Sequence, residues 1–246
     1  MKSRILIILP TYNEAGYISK LLSEISDLSL ELSEQYDITV LNIDDSSPDG
    51  TAALAKNMNL LNFHQFVNSK KIGLGPAYLS GFHWGLTQNF DFFVQMDSDG
   101  SHLVSELPKL IQESINYDLV IGTRWMTGGS IANWSKHRIL LSKFGTRYAS
   151  MALKLPFDDL TSGYRILSRN FLNSLDLESI STRGYGFQIE IAFQAYINGF
   201  SIGQVPITFI ERSSGKSKMT LGIALEPFKY VARRGFGLRL SVNNRR

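Results

Sequence analysis

The 246-residue chain is 43% hydrophobic and 19% charged, which supports a sizeable buried core and argues against general disorder. It has no cysteine, which excludes a disulfide scaffold, a Cys-ligated zinc site and thiol catalysis. The net charge of +3 conceals an asymmetry: residues 1–211 carry 16 basic and 21 acidic groups, whereas 212–246 carry nine basic groups against Glu226 alone. A mildly acidic body with a basic end suits a polyanionic partner (nucleic acid, anionic membrane or substrate phosphate) and equally suits a solvated tail.

Taken in chain order, Met1-Lys2-Ser3-Arg4 leads into only five apolar residues, Ile5 to Leu9, too few for a signal-peptide core. Arg4–Leu9 is therefore read as a strand, ended by Pro10. A helix follows with an apolar stripe at Ile18, Leu21, Leu22 and Ile25. Asp37–Ile43 is the next strand, and the turn Ser46-Ser47-Pro48-Asp49-Gly50 opens a helix at Thr51. Phe63–Val67 is a third strand, and the helix from Pro76 to Thr87 is weakened by Gly81 and Gly85. Phe92–Met96 is a fourth strand, ending at Asp97-Ser98-Asp99-Gly100; a helix over Glu106–Ile115 and a strand at Leu119–Ile121 follow. Strands alternating with helices predict an α/β domain with a mainly parallel central sheet flanked by helices, and ligands beyond the carboxyl ends of its strands.

The second half is less regular. Between Leu119 and Phe157 there are six basic residues and no acid, and Leu140, Phe144, Tyr148 and Met151 recur at helical spacing. That stripe suits core packing and lipid contact alike. Gln188–Asn198 is a predicted helix and Gln204–Ile210 a single strand. The uncharged run Ile191–Ile210 is the nearest approach to a spanning segment, but Asn198-Gly199 and Pro206 divide it, so no transmembrane domain is expected. Near the end, Leu221, Ala224, Leu225 and Phe228 form another helical stripe beside basic residues.

Asp97-Ser98-Asp99 closes an apolar strand. In extended chain, residues two apart face the same way, so both carboxylates can meet one point. Two hard oxygen ligands suit Mg2+ or Mn2+ shared with a diphosphate; the same residues also make an ordinary turn. Asp44-Asp45-Ser46-Ser47-Pro48-Asp49-Gly50 ends another strand, and its carboxylates can accept hydrogen bonds from a base or ribose. Two such clusters together fit a nucleotide-diphosphate site. No G-x-x-x-x-G-K-[ST] is present, and His64, His83, His102 and His137 have no metal-ligand spacing and are read as structural or surface residues.

Pro10-Thr11-Tyr12-Asn13-Glu14, Asp44 to Thr51, Gly73-Leu74-Gly75, Met96 to His102 and Gly122-Thr123-Arg124 occur in order. Together they resemble the inverting family 2 glycosyltransferases, and within them the dolichol-phosphate (polyprenol-phosphate) mannose synthases. Thr161 to Arg165, Gly186 to Glu190 and Glu211-Arg212…Gly215-Lys216-Ser217-Lys218 extend the likeness to about residue 220. The resemblance implies a nucleotide-sugar (GT-A type) fold in which Pro10, Tyr12, Glu14, Ile43 and Asp44 surround the nucleotide. Asp97, Asp99 and Ser101 would hold the metal, Arg124, Arg138 and Ser142 the acceptor phosphate, and Arg212, Ser217 and Lys218 the donor phosphates.

It further implies transfer of mannose from GDP-mannose to a polyprenyl or dolichyl phosphate with inversion, catalysed through Asp97, Asp99, Arg124 and Arg212. One domain spans 1–246: a nucleotide-sugar and metal half (1–123), an acceptor and donor-phosphate half (124–220) and a basic amphipathic end (221–246). A lipid phosphate monoester is largely dianionic at neutral pH, its second pKa being about 6, so no general base is needed. The expected setting is the cytosolic face of a membrane, bound peripherally or through a membrane-anchored partner subunit, with no nucleic acid. The alternatives are UDP-glucose as donor, a glycan hydroxyl as acceptor with Asp158 or Asp159 as base, and a non-catalytic nucleotide-sugar-binding module.

Overall fold

Strand β1 (Ser3–Thr11) lies in the interior of the sheet, with Ile5 to Leu9 buried on both of its faces. In the computed structural model, which describes residues 2–180, 182, 184–211, 228 and 230–234, a seven-stranded sheet runs β3-β2-β1-β4-β7-β5-β8. Its strands are β2 (Tyr36–Asp44), β3 (Phe63–Val67), β4 (Phe92–Gln95), β5 (Leu119–Thr123), β7 (Arg165–Ser168) and β8 (Ile202–Pro206) around β1. All pair in parallel except β7, which is antiparallel to both β4 and β5. A separate two-stranded parallel ribbon joins β6 (Ser130–Ala132) to β9 (Thr208–Ile210).

The period of two along the strands sorts the core into two layers. Ile5, Ile7, Leu9, Val40 and Val94 pack with α1 (Ile18–Glu31), α2 (Thr51–Asn57) and α4 (Leu107–Glu113). Leu6, Ile8, Leu41 and Phe93 pack with α3 (Leu74–Thr87), α5 (Lys136–Leu153), α6 (Arg169–Ser174) and α7 (Tyr185–Ile197). This is the expected α/β domain. Strand order reverses between β1 and β4, so the loops leaving their carboxyl ends diverge and open a crevice there.

Four local expectations are corrected. Pro10 does not end β1: its carbonyl accepts the Ser98 hydroxyl at 2.9 Å, so its peptide faces β4, whose pairing has already stopped at Ile8–Gln95. The missing N–H therefore costs no ladder bond. Gly81 and Gly85 do not weaken α3 but let it approach the sheet; a Cβ at Gly85 would lie 2.5 Å from Phe93 and 2.6 Å from Leu6. The single strand over Gln204–Ile210 is two strands in two sheets, broken at Ile207.

The fourth correction concerns α5. The helix buries Thr146, Ala149 and Leu153, while Leu140, Phe144 and Met151 are 69%, 64% and 70% exposed. The stripe is helical, but it faces out. Tyr148 alone of the four turns inward, against Phe228 at 5.4 Å between ring centroids. Phe228 and residues 230–234 are helical, and buried Val231 joins the core, so the described part of the C-terminal segment packs on the domain. Leu221, Ala224 and Leu225 lie outside the described residues. Among the described residues no helix is long and apolar enough to cross a membrane.

Gly85→Ala tests the close approach of α3. Helix propensity alone would add about 1 kcal/mol of stability. Overpacking against the Phe93 ring costs about 1–3 kcal/mol, so the thermal midpoint is expected to fall. A rise would show that α3 sits farther from the sheet.

Candidate active site

Two loops build one wall of the crevice. The β1–α1 loop and the β2–α2 loop are stitched together by backbone donors reaching side-chain oxygens. Asn13 N–H donates to Ser47 Oγ (3.0 Å), Glu14 N–H to Thr51 Oγ1 (2.9 Å) and Ala15 N–H to Asp49 Oδ2 (3.0 Å). Asn13 and Ser46 take positive φ values of 58° and 62°, which the tight turns require. At the base, the fully buried Asp44 carboxylate accepts from Thr11 Oγ1, Ser47 N and Ser47 Oγ at 2.9, 2.8 and 2.6 Å. Asp45 accepts from Asn68 and from Gly73 N–H, so it ties the start of α3 to the same wall.

Of the residues expected around a nucleotide, Pro10, Tyr12 and Glu14 are half-buried on this wall, and Lys71 stands 3.7 Å above the Tyr12 ring. Ile43 and Asp44 lie beneath it. Ile43 packs in the core, and Asp44 bonds Thr11 and Ser47, so both support the wall from below.

The opposite wall is the loop after β4. Ser98 is buried and donates its hydroxyl to Pro10, whereas Asp97 and Asp99 are half-buried and lie on the other side of the chain. The loop is closed by His102, which is 1% exposed and accepts the Asp97 N–H at Nδ1 (3.0 Å). That bond makes Nδ1 the acceptor and puts the proton on Nε2, 3.8 Å from Asp97 Oδ2. Tyr164 stacks on the imidazole at 4.7 Å, and Phe209 meets it edge-on at 5.6 Å.

Burial pushes the His102 pKa down to about 4; Arg124 reinforces this, while Asp99 and Asp159 oppose it. The ring is therefore neutral near neutral pH. Ser101, expected as a third metal ligand, is 2% exposed and hydrogen-bonds Asp99 Oδ1 through both its N–H and its hydroxyl. Among the described residues, no group of three or more His, Cys, Asp or Glu could hold a metal. The available set is two carboxylates, hard oxygen donors that suit Mg2+ or Mn2+ when a diphosphate completes the shell.

The arginines expected to hold an acceptor phosphate each face a carboxylate. Arg124, 7% exposed, grips fully buried Asp159 with two bonds, Nε to Oδ2 at 2.6 Å and NH2 to Oδ1 at 2.8 Å, and also donates to Thr161. Arg138 pairs with Glu211 and lies 4.1 Å over the Trp134 ring. Ser142 shares α5 with Arg138 one turn on. Neither pairing has a local sequence signal, since Asp159 and Glu211 meet their arginines across 35 and 73 residues of chain respectively. His102 did stand in the motif after Asp99, but only the fold shows its bond to Asp97.

β9 joins the two sides of the site. Ile210 N–H donates to Ser101 O and Glu211 N–H to Ala132 O, both at 3.1 Å. The chain therefore reaches Glu211 beside the acidic loop. Arg212, Ser217 and Lys218 lie outside the described residues.

A crevice at the switch point, with paired carboxylates on its rim, agrees with the family comparison: the family described as glycosyl transferase family 2 matches residues 6–176. The chain belongs to that family. It is 39% identical over 241 residues to a polyprenol monophosphomannose synthase of Mycolicibacterium smegmatis, covering 96% of this chain and 89% of that protein. It is 40% identical over 238 residues to an undecaprenyl-phosphate mannosyltransferase of Micrococcus luteus, covering 96% of each. Among solved structures, glucosyl-3-phosphoglycerate synthase of Mycobacterium tuberculosis, in complex with Mn2+, UDP and phosphoglyceric acid, shares the fold. The TM-score is 0.68 at 18% identity, over 95% of this chain and 78% of that one.

The buried imidazole predicts a pH dependence. Its pKa falls from the ordinary 6.5 to about 4 on folding, so acid protonates the unfolded chain first. Its contribution to stability is complete above pH 6.5 and is lost as pH falls toward 4. Urea unfolding at several pH values, without metal, should show stability declining through this window. His102→Asn, which keeps an acceptor near the Nδ1 position, should flatten the decline; an unchanged slope would show that another group titrates.

Proposed function

We propose that the protein transfers mannose from GDP-mannose to a polyprenyl phosphate with inversion, giving a β-mannosyl phosphoryl polyprenol. One observation carries this reading. The likeness to the two polyprenyl-phosphate mannosyltransferases covers 96% of the chain, whereas the family match ends at residue 176. It therefore includes the part of the chain that holds β9 and Glu211.

The donor lies in the crevice, its nucleotide against Pro10, Tyr12 and Glu14 on the wall that Ile43 and Asp44 support. Asp97 and Asp99 hold Mg2+ or Mn2+ on the donor diphosphate, with Ser101 orienting Asp99; the Mn2+ complex of the structural neighbour supports a divalent cation in this fold. When bound, the cation offsets the charge that develops on the departing diphosphate. Arg212, Ser217 and Lys218, which follow Glu211, are assigned to the same phosphates.

The acceptor phosphate is assigned to Arg124, Arg138 and Ser142. Because Asp159 is buried and doubly bonded to Arg124, whereas Glu211 is about one-third exposed, Arg138 exchanges its carboxylate for phosphate more readily. No general base is required, since a phosphate monoester with a second pKa of about 6 is already charged. The rival in which Asp159 deprotonates a glycan hydroxyl finds no support: that carboxylate is 0% exposed and neutralised by Arg124. Catalysis then rests on alignment, with the arginines setting a phosphate oxygen behind the anomeric carbon. The lipid acceptor places the protein on the cytosolic face of a membrane, peripherally or beside a membrane-anchored partner.

A donor panel of GDP-mannose, UDP-glucose and UDP-N-acetylglucosamine with a short polyprenyl phosphate, followed by lipid mass spectrometry, should yield the hexose adduct from GDP-mannose alone. Product from UDP-glucose would overturn the donor, and no lipid product from any donor would overturn the acceptor. Arg138→Ala should raise KM for the lipid phosphate by roughly ten- to a hundredfold. Glu211→Gln should lower it by about two- to fivefold with kcat nearly unchanged, because a competing carboxylate is removed. A raised KM in Glu211→Gln would show that Glu211 positions Arg138 instead.

A further inference from the structure

Outside the active site, the strongest unassigned feature is a cleft of about 540 Å³ between the C-terminal half of α5 and residues 154–158. Lys143, Arg147 and Lys154 line it against a single carboxylate, Asp158. Trp125 forms one wall, with the Lys143 ammonium 5.0 Å from its ring centroid. Two buried donors on the lining residues lack a hydrogen-bond partner: the hydroxyl of Thr146, a residue only 3% exposed, and the Trp125 indole N–H. Buried donors without acceptors are uncommon, and here they accompany three cations. The cationic side of the lining suits an anion, beside an apolar side formed by Met151, Leu155, Pro156 and Phe157.

The same helix carries the outward apolar face. Leu140, Leu141, Phe144 and Met151 are 64–70% exposed, and Met151 also lines the cleft. Large apolar side chains beside lysine and arginine, on a helix without an acidic residue, fit the acyl boundary and headgroup layer of an anionic bilayer. A second copy of the chain is a poor occupant. From Leu119 to Phe157 there is no acidic residue, so two such faces would bring like charges together.

We propose that this cleft binds the phosphodiester headgroup of an anionic phospholipid, with the exposed face of α5 resting among the acyl chains. None of the residues assigned to the nucleotide, the metal or the acceptor phosphate lines it. The inference rests on the peripheral membrane reading and deepens it by naming the surface and the lipid. It does not depend on the sugar or the acceptor. In this arrangement α5 lies along the bilayer with Arg138 in its first turn and the cleft toward its C-terminal end.

Vesicle flotation of the full chain, without nucleotide sugar, tests this. The vesicles are phosphatidylcholine alone, phosphatidylcholine with equal phosphatidylglycerol, and phosphatidylcholine with polyprenyl phosphate. The wild type should bind the phosphatidylglycerol vesicles most tightly. Lys143→Glu/Arg147→Glu should weaken that binding by at least roughly thirtyfold, because two attractive charges near the surface are lost and two repulsive ones introduced. Lys143→Arg/Arg147→Lys should restore it, and Leu140→Ser/Phe144→Ser, at exposed positions, should weaken binding to every vesicle.

Lys20→Glu/Lys56→Glu, on other helices, serves as the charge control and should bind as the wild type does. Circular dichroism confirms that each variant is folded. Dihexanoyl phosphatidylglycerol should shift the tryptophan fluorescence, and Trp125→Phe should abolish the shift. Equal losses in the cleft and control variants would overturn the site in favour of nonspecific charge. Unchanged binding by Lys143→Glu/Arg147→Glu would place the contact elsewhere. Recruitment by the polyprenyl phosphate vesicles alone would give the cleft to the acceptor, and no recruitment by any vesicle would overturn the membrane reading as well.

Discussion

The site depends on a single hydrogen bond, from the backbone N–H of Asp97 to the buried Nδ1 of His102. It turns the segment after β4 into a closed loop, and closure fixes which way each residue faces. Ser98 goes inward to Pro10, leaving Asp97 and Asp99 on the crevice side. The imidazole can do this only as a neutral ring, and its burial between Tyr164 and Phe209 keeps it neutral. Tyr164 also donates its hydroxyl to Leu103 O, and Ile210 bonds Ser101 O, so segments distant in sequence hold the same loop. The pair of carboxylates proposed to hold the metal is thus preformed, which would lower the ordering cost of binding.

Charge is balanced inside the protein before any substrate arrives. Asp44 and Asp45 are satisfied by hydroxyl, amide and backbone donors, and Asp159 by Arg124. Breaking the buried Arg124–Asp159 pair would cost on the order of 3–5 kcal/mol, so it is a fixed part of the frame. The Arg138–Glu211 pair, about one-third exposed, is different: water screens it, and a phosphate carries more charge than the carboxylate it would replace. Glu211 is followed directly by Arg212, so an acceptor that displaces Glu211 acts on the segment assigned to the donor phosphates. The proposed acceptor and donor sites would thereby share one short stretch of chain.

Much of this was legible in the sequence. Apolar runs ending in acidic clusters gave the parallel strands and the rim of the crevice, because strand burial and the placement of Asp44, Asp97 and Asp99 are local patterns. The antiparallel β7 was not legible: Arg165–Ser168 is four residues long and begins with a buried arginine whose guanidinium is held by the carbonyls of Leu160, Ser162 and Gln188. Which side of α5 faces water depends on what the rest of the chain leaves uncovered, and periodicity cannot report that. Gly81 and Gly85 read as helix weakeners because their use, contact with Ile8, Leu6 and Phe93, lies on other strands. The partners of Arg124 and Arg138 were hidden for the same reason.

Manganese binding followed by electron paramagnetic resonance, with and without GDP, tests the central claim that Asp97 and Asp99 are a preformed pair completed by a diphosphate. The wild type should bind Mn2+ weakly alone and at least about tenfold more tightly with GDP, while Asp97→Asn and Asp99→Asn should each lose the GDP-dependent gain. Mn2+ binding that is indifferent to GDP, or that survives both substitutions, would contradict the account.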